Sequence, residues 1–126
     1  MADKVTELNE LNLAFAERFN ARDVDGLMAL MAPGVVFVPA PGQALTGEAN
    51  VRSGLERFLG VNLPIEMNVR HVYQSGDHGL AVADWSITGE GPDGSDVAMS
   101  GATADVAVHD DEHGWRFLID NPNGTA

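Results

Sequence analysis

The apolar positions recur with a helical period in the first half of the chain and alternate in the second. Val5, Leu8, Leu11, Phe15 and Phe19 follow one another at spacings of three and four, which puts them on one side of an amphipathic helix over residues 4–20. Asn20-Ala21-Arg22 breaks that pattern. Asp23 suits the N-cap of a short second helix, with Val24, Leu27, Leu30 and Met31 facing inward and Pro33-Gly34 ending it. The β-branched and aromatic run Val35 to Val38 predicts a strand, stopped by Pro39-Ala40-Pro41-Gly42 because proline cannot donate to a ladder. Val51, Leu55, Phe58 and Leu59 predict a third helix over Glu48 to Leu59, closed by Gly60.

From Pro64 onward the pattern is that of strands. Pro64 to Gln74, Leu80 to Gly89, Val97 to His109 and Trp115 to Asn121 are each bounded by turn residues, of which Glu90-Gly91-Pro92-Asp93-Gly94-Ser95 is the strongest signal. Short turns between long strands predict antiparallel pairing, and helices followed by strands predict an α+β fold.

Composition narrows the partners. A chain of 126 residues suits one domain spanning 1–126, long enough to fold without a staple. It has no cysteine, which excludes disulfides, thiolate metal sites and cysteine nucleophiles. The net charge of −12, from 19 acidic and 7 basic residues, argues against nucleic acid and against an anionic membrane surface. No apolar run approaches the roughly 18 residues of a membrane span. The start, Met1 to Glu7, lacks the basic and apolar stretches of an export signal, so a cytoplasmic location is expected.

The stretch from Phe19 to Met31, with Asn20-Ala21-Arg22-Asp23 before Gly26-Leu27, resembles the first-to-second-helix junction of SnoaL-like and ketosteroid-isomerase-like proteins of the nuclear-transport-factor-2-like superfamily. Thr46-Gly47 before the helix with Val51-Arg52, Gly76-Asp77, Trp85, Gly91-Pro92-Asp93-Gly94 and the closing Gly114-Trp115-Arg116-Phe117 continue the likeness, from about Leu8 to Pro122. The resemblance implies a curled, antiparallel-rich sheet wrapped around the N-terminal helices as a cone. It also implies a small apolar pocket within the cone and a homodimer through the outer sheet face. It does not fix an activity, since the superfamily holds isomerases, cyclases, dehydratases and proteins without catalysis.

The steroid isomerases among those relatives pair an aspartate base with an oxyanion hole of a tyrosine and a protonated aspartic acid. The resemblance puts the tyrosine position at Phe15 and the base near Val38 or Pro39, where no side chain can donate or accept a proton. It puts the third position at Asp105, so steroid isomerisation in its familiar form does not carry over.

Asp105 lies in the alternating run Ala102 to Val108. With Thr103, Asp105 and Ala107 facing the cone, it is a lone carboxyl whose pKa burial would raise, and Asp105→Asn would be neutral or stabilising near pH 7. With the faces reversed, the valines are core and Asp105 is wet. Asp120, grouped by alternation with Arg116 and Leu118 rather than with Trp115, Phe117 and Ile119, is either a second pocket acid or a partner of the following turn.

Trp85 falls in step with Ala81, Ala83 and Ile87 and is either the floor of a ligand site or plain core. Phe15, Phe19, Val38, Met67 and Met99 are further pocket candidates. The run His109-Asp110-Asp111-Glu112-His113 has ligand-type residues, but on a tight turn they splay apart, and no metal site is expected. His71 and His78 have no recognisable partner. These features point to cofactor-free proton transfer on a small apolar or partly polar ligand by Asp105 and Asp120. The alternative is a module that binds an apolar ligand or dimerises without catalysis.

Overall fold

The computed structural model describes residues 4–125; of the polar start considered above, Met1 to Asp3 lie outside the described residues. A single helical turn, Leu8–Glu10, leads into α1 (Leu11–Asn20), followed by α2 (Val24–Met28), β1 (Met31–Ala40), β2 (Gln43–Thr46) and α3 (Glu48–Leu59). Then come β3 (Ile65–Ser75), β4 (His78–Glu90), β5 (Asp96–Ala102), β6 (Asp105–Asp110) and β7 (Gly114–Asp120). The fold is α+β. The sheet order is β2-β1-β7-β6-β4-β3, with β5 also on β4, and every pairing is antiparallel except that of β1 with β7. The helices cover one face. Leu11, Phe19, Leu27, Val51 and Leu55 from the helices meet Phe37, Ile87 and Phe117 from the sheet in one core. Among the described residues, no helix is long and apolar enough to cross a membrane.

The first helix starts later than its apolar stripe suggests. Val5 is extended, bridges Gly114 in parallel and accepts the Trp115 N–H through its carbonyl at 2.8 Å. Val5 and Leu8 are buried all the same, so the stripe reports the buried side of the segment and not its backbone state. At its other end α1 is pinned to the start of β3: Asn20 donates to the Ile65 carbonyl at 3.0 Å and accepts from the Ile65 N–H at 2.8 Å. Asp23 caps α2 as expected, accepting from the Gly26 N–H at 2.8 Å.

Pro33-Gly34 does not end a helix. The chain is already in β1 by Met31, because the Phe117 N–H takes the Leu30 carbonyl at 2.7 Å. Pro33 and Gly34, the latter at φ +81°, occupy a bulge between the pairs Met31–Phe117 and Val36–Ile119, where the missing proline N–H costs no ladder bond. Pro41-Gly42 forms the tip of a hairpin to β2, a strand the sequence pattern did not announce.

The expected strand from Val97 to His109 runs in one register along β4, with Trp85 opposite Gly101 and Ala81 opposite Asp105, yet it opens at Thr103-Ala104. There the Thr103 hydroxyl accepts the Ala83 N–H at 3.0 Å in place of a ladder carbonyl. The Ala104 N–H turns away to the Asn121 carbonyl.

The turn between β6 and β7 depends on Gly114, at φ +73°, where an added Cβ would meet the Val5 carbonyl. Gly114→Ala is expected to destabilise the fold by about 1–3 kcal/mol, the usual cost of a strained backbone position. A urea-unfolding midpoint equal to that of the native chain would contradict this.

Candidate active site

A cavity opens between α1 and the sheet, walled by the rings of Phe15, Phe37, Phe58, Trp85 and Phe117. The rings meet edge to face: Phe15 on Phe117 at 6.0 Å between centroids and Phe58 on Trp85 at 5.7 Å. At the polar end stand Asn12, Thr103, Asp105 and Asp120. All four are buried, Asp105 being 1% and Asp120 5% exposed. The interior space open to the centre of a water molecule is about 20 Å³, and the funnel including its open mouth is about 330 Å³. The interior therefore has room for about one water molecule, and a larger ligand must displace a wall.

The two aspartates meet because β7 carries an extra residue. Ala107 pairs with Phe117 but Val106 pairs with Ile119, so Leu118 is bulged out. Strict alternation opposes Asp120 to Phe117; the bulge reverses the parity and brings both onto the cavity side, while Ile119 is 36% exposed on the outer face. The register past the bulge sets Asp120 opposite Asp105, and the two carboxyls share a hydrogen bond. The inward residues are Thr103, just before β6, and Asp105 and Ala107 on it, with Val106 and Val108 half-buried outside.

Asp105 is not a lone carboxyl. Its Oδ2 accepts from the Asn12 side-chain amide at 2.8 Å, and its Oδ1 accepts from the Asn121 N–H at 2.8 Å. Burial pushes its pKa up to about 6, opposed by these two donors and by Thr103 and Asp120, all of which favour the charged form. Asp120 is pushed well above the usual carboxylate range, first by burial, then by the charge of Asp105 and the hydrogen bond with it. Asp105 is thus the charged member and Asp120 holds the proton, as expected when two buried carboxyls cannot both ionise.

The other sequence candidates are placed as follows. Phe15, Met67 and Trp85 line the cavity. The Trp85 indole N–H donates to the Pro122 carbonyl at 2.7 Å, holding the chain after β7 across the mouth, and Gly101 leaves room for that approach. Phe19 stands one layer back, stacked on Phe15 at 6.1 Å. Val38 is not in the wall: its neighbour Phe37 has the inward position on β1, and the half-buried Val38 offers its carbonyl to Asn123. Met99 is opposite Ile87 on the cavity side of β5 but is 38% exposed, beyond the helical cover.

Arg70 pairs with Asp84 and Arg116 with Asp110, so neither neutralises Asp105. In the His109–His113 turn, Asp110 accepts from the His113 N–H and ring. Among the described residues, no three His, Asp or Glu side chains are grouped to hold a metal ion. Asn12 was missed by the pattern reading, although a polar residue four positions after Leu8 and three before Phe15 interrupts the apolar stripe and was a usable signal.

Residues 13–112 match the SnoaL-like domain. This chain belongs to the SnoaL-like domain family. Asp105 is inside the matched stretch, while Asn12 immediately precedes it and Asp120 follows its end. Three solved structures are similar in fold. A candidate calcium/calmodulin-dependent protein kinase type II association domain from Thiobacillus denitrificans has a TM-score of 0.78 at 19% identity, covering 98% of this chain and 99% of its own. A candidate dehydratase of the NTF2-like family from Streptomyces avermitilis has 0.73 at 21%, covering 87% and 88%. A ketosteroid isomerase-like protein from Erwinia carotovora atroseptica has 0.71 at 17%, covering 90% and 89%. At such identities the likeness is one of fold. No curated protein matches the sequence significantly.

Both carboxyls of this SnoaL-like site bind protons more tightly folded than unfolded, where aspartate titrates near 3.9. Their stabilising effect is complete below about pH 4 and is lost as pH rises through the folded values, about 6 for Asp105 and well above the usual carboxylate range for Asp120. Asp120→Asn copies the protonated form. It is expected to match the native chain near pH 4 and to gain on it by up to about 1.4 kcal/mol per pH unit above that. Asp105→Asn is expected to destabilise at every pH, by about 1–3 kcal/mol, because its amide sets a donor against Asn12 or the Asn121 N–H. Urea unfolding between pH 4 and 8 measures both; parallel profiles for the native chain and Asp120→Asn would contradict the assignment.

Proposed function

We propose that the chain is a cytoplasmic enzyme that performs cofactor-free acid–base chemistry on a small ligand, with Asp120 as proton donor and Asp105 as acceptor. The observation that carries this is the carboxyl pair itself. Two aspartates face each other in an apolar cavity, one held ionised by Asn12 and the Asn121 N–H and the other holding its proton. Environments that push two pKa values apart assign the acid and the base. A proton passed between the pair resets it after each turnover, so the scheme suits isomerisation, cyclisation or dehydration. Relatives in fold named as a candidate dehydratase and as ketosteroid isomerase-like are consistent with this. The non-catalytic alternative rests on Phe15 and on Val38 and Pro39, which can neither donate nor accept a proton at the positions where the resemblance puts the working groups of the steroid isomerases.

Deuterium uptake next to the carbonyl of small cyclic ketones and enones in D₂O tests the proposal. Uptake is expected to exceed that with Asp105→Asn by at least about 100-fold, the typical contribution of a positioned acid or base. Equal rates for the native chain and the variant across the panel would leave the binding reading in place.

We further propose a homodimer through the outer sheet face. Tyr73, Leu80, Val106, Ile119 and Val36 are successive cross-strand neighbours there, an apolar row over five strands, with Tyr73 60% and Leu80 39% exposed. A two-fold pairing of such a row would cover it. Light scattering at micromolar concentration is expected to report a dimer for the native chain and a monomer for Leu80→Lys; a native monomer would refute the interface.

A further inference from the structure

The polar end of the cavity holds buried side-chain oxygens without hydrogen-bond partners among the described residues. Asn12 is 2% exposed, and its side-chain nitrogen is committed to Asp105. Its Oδ1, fully buried, has no hydrogen-bond partner among the described residues. Nor has Asp120 Oδ2, for which the proton shared with Asp105 can account. That proton does nothing for Asn12 Oδ1. A buried carbonyl-type oxygen left unpaired costs about 1–3 kcal/mol, and its residue lines the cavity together with Asp120.

The group that fits there must donate to Asn12 Oδ1, and next to a protonated carboxyl it must also accept. A hydroxyl does both through one atom. A carboxylate or phosphate donates nothing, would meet two aspartates, and finds no Lys, Arg or His among the lining residues. The rest of the wall is five aromatic rings with Ile65, Met67 and Pro122, which suits a small flat apolar body. Met67 is half-buried and unbranched, and its rotation can widen a space of about 20 Å³.

We propose that the polar end of the cavity is a hydroxyl site, formed by Asn12 Oδ1 and the Asp120 carboxyl, that takes a water molecule or the uncharged hydroxyl of a small, flat ligand. This rests on the pocket reading above and narrows it, from any small ligand to hydroxyl compounds such as phenols, enols and cyclic alcohols.

Phenol and toluene, matched in shape, are the probes, titrated by NMR with the Trp85 indole signal as readout. The more apolar toluene is favoured by burial alone, so a preference for phenol isolates the hydroxyl contact. The native chain is expected to bind phenol at least about tenfold more tightly, since a site with a buried polar partner rejects the analogue lacking it. In Asn12→Leu the order is expected to reverse.

Two crystal structures separate the sources of the hydroxyl. Without ligand, a water molecule is expected within hydrogen-bond distance of Asn12 Oδ1 and Asp120; with phenol, the phenol oxygen is expected in its place. Equal or weaker binding of phenol by the native chain overturns the hydroxyl site and leaves the pocket intact. No response to either probe also overturns it, and the pocket reading then stands or falls on the deuterium-uptake experiment.

Discussion

Two carboxyl groups removed from water on neighbouring strands would repel each other strongly if both were charged. The arrangement around Asp105 and Asp120 avoids this by giving them unequal surroundings. Asp105 receives two N–H donors, one from the Asn12 side chain and one from the Asn121 backbone. Asp120 has no donor among the described residues and keeps its proton, which it donates to Asp105. That division requires α1 to bring Asn12 over β6, and it requires the chain after β7 to turn back at Asn121. The two Asn20 bonds to Ile65 fix the far end of α1. The Ala104 N–H to the Asn121 carbonyl and the Trp85 indole to the Pro122 carbonyl fix the turn.

Irregular positions in the sheet serve the same end. The opening of the ladder at Thr103-Ala104 frees an N–H to hold Asn121. The extra residue at Leu118 turns Asp120 inward without displacing Phe117 from the wall. A sheet with perfect alternation would set Asp120 on the outer face, the side of Leu80 and Val106. Bulges gather beside working sites because they re-aim a single side chain at little cost to the rest of the strand.

The cavity is apolar over most of its wall and polar at one end. Its small interior and its aromatic lining keep bulk water from the carboxyl pair, which raises both proton affinities, and the unequal donors separate them. The same lining argues against charged ligands. One of the two donors that hold Asp105 shares a side chain with the unpaired oxygen, that of Asn12, so the residue that orients the base also lines the cavity.

The sequence by itself determined the elements and their general placement. The apolar stripe over Val5 to Phe19, the Asp23 cap, the helix from Glu48 to Leu59 and the long strands after Pro64 follow from local periodicity and turn chemistry, and these act over a few residues. Alternation along one strand also groups Thr103, Asp105 and Ala107 on one face, while the choice of that face as the inward one belongs to the fold. What tertiary structure decided were the places where a distant strand claims backbone bonds. The Phe117 N–H took the Leu30 carbonyl and drew Met31, Pro33 and Gly34 into β1, which put Phe37 rather than Val38 in the wall. Gly114 and Trp115 took Val5 out of the first helix. The bulge at Leu118 paired Asp120 with Asp105, a parity change set by the register between β6 and β7 and invisible in either strand alone. Asn12 stood in the open on the apolar stripe, but its meaning depended on a carboxyl distant along the chain, which only the folded molecule brings within 2.8 Å.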